Sequence, residues 1–104
     1  GAPSARVLVV DDEREVLASV TAALEQSGYR VQAFQSGVKA LEAYTSAGAD
    51  PFSLVLTDVV MPELGGVELA HRLLRHDPSA RVLFMSGYVS DDFLRNDFAG
   101  RQFA

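Results

Sequence analysis

The stretch VLVVDDE, residues 7–13, decides the fold, because four apolar residues run directly into three acidic ones. A short, continuous apolar run is typical of a strand that is covered on both faces. Similar runs occur at residues 54–56 and 82–85, and the alternating pattern of residues 29–34 suits an outer strand. The segments between these runs carry apolar residues at helical spacing. The pattern predicts a parallel sheet wound by right-handed strand–helix–strand crossovers.

Local signals bound four predicted helices, one after each strand. Gly28 stands where a glycine would close the first helix, and Ser36 can cap the second. Asp77 ends the third, because a residue that precedes a proline resists the helical conformation. Ser90 begins a fourth helix, and residues 101–104 look like the opening of a fifth strand that is cut short.

Length and composition indicate one small globular domain: 104 residues, 48% hydrophobic and 22% charged. We interpret residues 1–5 as a lead-in or cloning scar and residues 6–104 as the domain. Nine basic and 14 acidic residues give a net charge of −5, which argues against direct binding to nucleic acid. No apolar run approaches the roughly 20 residues that cross a bilayer. The chain has no cysteine, and we expect a cytoplasmic domain without membrane contact.

Two predicted strands end in acidic residues: Asp11 and Asp12 follow the first, and Asp58 follows the third. In open parallel sheets, ligands bind at the carboxyl ends of the strands, where the winding direction reverses. The Asp11–Asp12 pair alone is better interpreted as facing solvent. If the first and third strands are neighbours, however, three carboxylates converge, and they repel one another unless a cation joins them. Oxygen ligands without His or Cys favour Mg²⁺ (or Mn²⁺).

Two other features follow predicted strands at the same edge. Met61-Pro62 and Gly65-Gly66 flank a loop after Asp58, where proline and glycine fix the turn into the third helix. Ser86-Gly87 follows the fourth strand. That pair is either a plain polar turn or a hydroxyl donor with room for a bulky anion beside it, and the residues alone leave both interpretations open.

Three motifs resemble those of the receiver domain of two-component response regulators: Asp11-Asp12, Asp58-Val59-Val60-Met61-Pro62 and Ser86-Gly87. The resemblance runs from about residue 6 to the last residue. The sequence FMSGY at residues 84–88 is similar to the corresponding segment of receivers attached to hybrid sensor histidine kinases. The resemblance implies an α/β, flavodoxin-like, doubly wound parallel sheet with strand order 2-1-3-4-5.

The resemblance also implies a phosphorelay role in signal transduction. Asp58 would accept a phosphoryl group from the phosphohistidine of a histidine kinase or histidine phosphotransfer domain. Asp12, Asp58 and the backbone carbonyl of Val60 would ligate Mg²⁺, and Asp11 would hold a metal-bound water. Such a domain catalyses its own phosphorylation and dephosphorylation but is not a turnover enzyme.

The switch residues implied by the resemblance lie near the end of the chain. Ser86 would hydrogen-bond the phosphoryl group, Gly87 would leave space for it, and Phe103 is the candidate switch aromatic. The family also carries a lysine after the fifth strand, but the only lysine here is Lys39, which we predict to lie on the second helix. By comparison with the family pattern, we expect the fifth strand to be incomplete and the fifth helix to be absent from these residues. We therefore expect the natural chain to continue past residue 104, or a second copy or further domain to cover the exposed face.

Two alternative functions stay open. A phosphorylation-independent interaction module (a pseudo-receiver) would explain the missing lysine. A phosphatase of the haloacid-dehalogenase type also uses an aspartate nucleophile with Mg²⁺, but it needs a second aspartate at position 60, which is Val60 here. His71 and His76 are five residues apart, off the spacing of helical metal ligands, and we predict both at the surface.

Overall fold

The structure is a computed structural model that describes residues 5–85 of the chain. Strands and helices alternate along these residues, as the sequence predicts. The elements are β1 (Arg6–Val10), α1 (Arg14–Gln26), β2 (Arg30–Phe34), α2 (Gly37–Thr45), β3 (Leu54–Thr57), α3 (Gly66–His76) and β4 (Val82–Phe84). The predicted fourth helix and fifth strand lie outside the described residues.

The described strands form one parallel sheet with the order β2-β1-β3-β4. This arrangement confirms the flavodoxin-like order over the first four strands and makes β1 and β3 neighbours. Val10 pairs with Phe34 of β2 on one side and with Thr57 of β3 on the other. The carboxyl ends of the three strands are therefore level, so the residues that follow them meet at one edge of the sheet.

The burial of the central strand β1 on both faces explains why its apolar run is continuous. Leu8 and Val10 pack into the core beneath α2 and α3, whereas Val7 and Val9 pack on the opposite face together with Leu17 of α1. These four residues are almost fully buried. Alternate side chains of a strand point to opposite faces, so a strand covered on both sides needs apolar residues at every position.

The helix boundaries confirm most of the predicted signals. Gly28 has a φ of +95° and its N–H donates to the Glu25 carbonyl (3.0 Å), which closes α1. The Ser36 hydroxyl accepts a hydrogen bond from the Lys39 N–H (3.3 Å) and caps α2. Asp77 ends α3.

The surface prediction for the two histidines holds only for His76, which is exposed. His71 is half-buried, and its Nε2 atom is inaccessible to solvent. The reason is its position on α3: His71 lies four residues after Val67 and three before Leu74, and both of these pack against the core.

A polar contact joins α2 to the end of α3. The Tyr44 hydroxyl donates to Oδ2 of Asp77 (2.7 Å), and Ser79 donates to the Oδ1 atom of the same carboxylate. These hydrogen bonds, that of Tyr44 first, lower the pKa of Asp77 below its ordinary value of 3.8. A carboxylate with a lowered pKa in the folded state stabilises the fold above its unfolded pKa, and this stability is lost as the pH falls through the folded pKa.

Tyr44→Phe should therefore cost more stability near neutral pH than in acid. We expect the difference in urea midpoint between parent and variant to be larger at about pH 6 than at about pH 3, because the stability that comes from a lowered carboxyl pKa declines once the pH falls below the ordinary value of 3.8. Tyr29→Phe is the matched control, because Tyr29 is an exposed tyrosine. A Tyr44→Phe difference of equal size at both pH values would contradict the prediction.

Candidate functional site

Three carboxylates meet at the carboxyl ends of β1 and β3. One oxygen from each of Asp11, Asp12 and Asp58 lies within 4.8 Å of the other two. The strands themselves bring this about, since the Asp58 N–H donates to the Val10 carbonyl (2.9 Å) and so ties Asp58 to the end of β1. The structure thus brings together the three acids that the sequence predicts to converge.

The cluster holds its negative charge partly out of water. Asp11 is only 4% exposed, and Asp58 is half-buried. Burial raises the pKa of Asp11, and the charges of Asp58 and Asp12 raise it further, against a backbone hydrogen bond from Glu13 (2.8 Å) that lowers it. A divalent cation would relieve this repulsion, and an all-oxygen donor set fits Mg²⁺.

The loop after Asp58 is anchored from beneath. Met61 and Leu64 are buried in the core. Val60, which precedes them in the loop, is 71% exposed. The Gly66 N–H donates to the Val59 carbonyl (2.8 Å) and closes the loop onto the start of α3. Two buried side chains and a backbone hydrogen bond thus fix the loop segment that contains Val60, whose backbone carbonyl is a predicted metal ligand.

Gly66 has a steric role that the sequence did not reveal. A Cβ atom at this position would lie 2.1 Å from the Asp58 carbonyl oxygen. Only glycine lets α3 begin this close to the backbone of Asp58. The Gly65-Gly66 pair predicts a turn, but the structure shows that it also permits this contact.

The last residue of β2 and the residue after it also contact the site, which the sequence patterns did not indicate. The Phe34 carbonyl accepts a hydrogen bond from the Asp11 N–H (3.1 Å), and Gln35 Nε2 donates to the Asp12 carbonyl (3.2 Å). The available signal was topological: β2 is a parallel neighbour of β1, so residues after Phe34 had to lie at the same edge.

The remaining predictions concern Lys39, which was expected away from the site, and three residues near the end of the chain. Lys39 is exposed on α2, as predicted. Ser86, Gly87 and Phe103 lie outside the described residues, so their roles remain predictions. Within residues 5–85, no helix combines the length and the apolar character that a membrane span requires.

Comparison with known proteins gives the class to which this fold and acidic edge belong. The family model described as the response regulator receiver domain matches residues 7–99. The chain belongs to this family of two-component receiver domains.

Two relatives come from Brucella abortus (strain 2308). The response regulator receiver protein CpdR is 39% identical over 85 residues, which are 82% of this chain and 68% of CpdR. The sensor kinase CckA is 42% identical over 93 residues, which are 89% of this chain but 10% of the kinase. The chain thus matches most of a small receiver protein and a small part of a large kinase.

Two solved structures are also similar. The response regulator TrrA from Thermotoga maritima, in complex with Mg²⁺-BeF, is 25% identical with a TM-score of 0.74, covering 89% of this chain and 80% of that one. The complex of the histidine kinase ThkA with TrrA gives 26% identity and a TM-score of 0.76, covering 96% and 84%.

Proposed function

We propose that Asp58 is the phosphoacceptor of a two-component phosphorelay and takes its phosphoryl group from a phosphohistidine. The observation that carries the proposal is the cluster of Asp11, Asp12 and Asp58 within 4.8 Å at the ends of β1 and β3. Membership of the receiver family supports the same role for Asp58.

The contacts of Asp58 suit a nucleophile that is held in place. Its Oδ1 atom accepts a hydrogen bond from the Val59 N–H (2.8 Å), which leaves Oδ2 to attack phosphorus. The N–P bond of the phosphohistidine breaks as the O–P bond to Asp58 forms, and the electron pair stays on the imidazole nitrogen. Phosphoryl transfer depends mainly on positioning and charge neutralisation, so little further covalent assistance is needed.

Asp12, Asp58 and the carbonyl of Val60 would hold Mg²⁺, and buried Asp11 would act through a bound water. When bound, the ion neutralises charge on the carboxylates and on the phosphoryl oxygens. The backbone hydrogen bond from Glu13 fixes the Asp11 carboxylate, which would orient that water. The Mg²⁺-BeF complex of TrrA supports such a cation site in a similar chain.

A histidine kinase or histidine phosphotransfer domain is the proposed partner. The structure of ThkA in complex with TrrA supports a kinase, as does the similarity to part of CckA. We also propose a cytoplasmic location for the domain, in keeping with this role. The conformational shift after phosphorylation would depend on Ser86 and Phe103.

The geometry of the site supports neither of the two alternative functions. An interaction module without a switch would not need three converging carboxylates. A phosphatase of the haloacid-dehalogenase type would need an acid at position 60, where the side chain of Val60 projects into solvent. A phosphoacceptor role therefore accounts for more of the site.

Intact-mass measurement after incubation with acetyl phosphate and Mg²⁺ tests the proposal. We expect one phosphoryl adduct on the parent and none on Asp58→Asn, because an amide cannot replace the carboxylate nucleophile. Glu63→Gln is the matched control: it removes an exposed acid from the same loop and should keep the adduct. Equal adducts on the parent and Asp58→Asn would overturn the assignment, and a parent that binds Mg²⁺ but takes no phosphoryl group would favour the interaction module.

A further inference from the structure

We infer that the β2–α2 junction, residues 34–37, sets the spacing between the two halves of the acidic site, with Gln35 and Gly37 as positioning residues. One half is Asp11-Asp12 after β1, and the other is the loop that leaves Asp58 after β3. The inference rests on the proposed function, since it concerns how the same site is held in shape for Mg²⁺.

The junction contacts the first half through two hydrogen bonds. The Phe34 carbonyl accepts from the Asp11 N–H (3.1 Å), and the side chain of Gln35 donates to the Asp12 carbonyl (3.2 Å). Both bonds fix the backbone of the two acids and leave their carboxylates for the cation. Gln35 is exposed and contributes nothing to the core, so this contact is its visible role.

The same junction contacts the second half through Gly37, the first residue of α2. A Cβ atom on Gly37 would lie 2.6 Å from the Leu64 carbonyl oxygen and 3.2 Å from Leu64 Cβ. Leu64 is only 5% exposed and packs in the core, so it has little room to withdraw. The start of α2 therefore abuts the backbone of the loop that contains Val60.

These contacts matter because Mg²⁺, the proposed cation, tolerates little variation in its metal–oxygen distances. Mg²⁺ requires near-octahedral oxygens at about 2.0–2.1 Å, whereas Ca²⁺ accepts flexible geometry at about 2.3–2.6 Å. A wedge between α2 and the loop would move the Val60 carbonyl relative to Asp12. Mg²⁺ binding should suffer more than Ca²⁺ binding, which a general loss of stability would not produce.

Gly37→Ala tests the contact with the loop. Alanine is normally favoured over glycine in a helix, so a loss would come from the contact with Leu64 and not from helix propensity. We expect calorimetric titration to show Mg²⁺ affinity reduced about tenfold, with a lower ratio of Mg²⁺ to Ca²⁺ affinity. Gly48→Ala is the matched control, because Gly48 lies beyond the other end of α2, away from Leu64. A Cβ at this position meets no atom, but the φ of +62° is unfavourable for alanine. This control should lose stability and keep both affinities.

Gln35→Met tests the contact with Asp12 and decides the matter if Gly37→Ala fails to fold. Methionine keeps the length of glutamine but cannot donate, so Mg²⁺ affinity should fall about threefold. Gln32→Met is its control, since the Gln32 side chain accepts a hydrogen bond from Arg6, away from the site. Mg²⁺ affinity should not change in this control.

The outcomes separate this inference from the proposed function. An unchanged Mg²⁺ to Ca²⁺ ratio in Gly37→Ala, or parent-like Mg²⁺ affinity in Gln35→Met, would overturn the positioning role even if the parent is phosphorylated. A parent that binds no Mg²⁺ and takes no phosphoryl group would overturn the proposed function, and the inference with it.

Discussion

Gly66→Ala should cost the domain about 3 kcal/mol of unfolding free energy, at the upper end of what overpacking usually costs. The added Cβ would lie 2.1 Å from the Asp58 carbonyl oxygen and 3.0–3.1 Å from the Asp58 carbonyl carbon and Val59 Cα. All three are backbone atoms, so no side chain can rotate away to relieve the contact. Either the start of α3 or the end of β3 with Asp58 has to move.

Urea unfolding of Gly66→Ala measures this cost, and Gly65→Ala is its matched control. A Cβ on Gly65 would approach the Val59 carbonyl oxygen only to 3.0 Å, so a shift of a few tenths of an ångström relieves it. We expect Gly65→Ala to lose clearly less stability than Gly66→Ala. Equal stability of the two variants would show that the start of α3 is not held against Asp58.

The second large effect is stabilisation by Mg²⁺. A ligand that binds only the folded chain adds about 2.7 kcal/mol when its free concentration is 100 times its dissociation constant. The fold is what brings Asp58 to the Asp11–Asp12 pair, so the three-carboxylate cluster exists only in the folded state and the ion should bind that state selectively. We expect the urea midpoint to rise with Mg²⁺, and to rise little in Asp12→Asn.

Two controls make this prediction specific. Glu13→Gln removes a neighbouring charge that is not part of the cluster, and it should keep the response to Mg²⁺. Sodium chloride at matched ionic strength accounts for general screening of the acids. A Mg²⁺ response in Asp12→Asn as large as in the parent would argue against a metal site built on this residue.

Sequence patterns predicted the fold because each depends on neighbours along the chain. The apolar run in β1 implies burial on both faces, and the structure buries Val7 and Val9 on one side and Leu8 and Val10 on the other. The convergence of the acids follows from the same pattern, since residues that directly follow parallel strands must meet at one edge.

Other features could not be predicted because they depend on distances between segments far apart in the chain. Gly37 meets Leu64, a residue 27 positions later, and nothing in a single sequence indicates that contact. Gln35 looks like an ordinary polar residue until the register of β1 and β2 places it beside the Asp12 carbonyl. The surface prediction for His71 rested on its spacing from His76, whereas its partial burial follows from its spacing to Val67 and Leu74, which pack against the core.

The exposed side chain of Val60 separates two properties of the site that are otherwise difficult to change independently. Its backbone belongs to the acidic edge, but the side chain projects into solvent and contributes nothing to the packing of Met61 or Leu64. Mutation at this position can therefore change the surface beside Asp58 without weakening the packing of the domain. Val60 is therefore a position beside the acidic cluster where a change of side chain carries little structural risk.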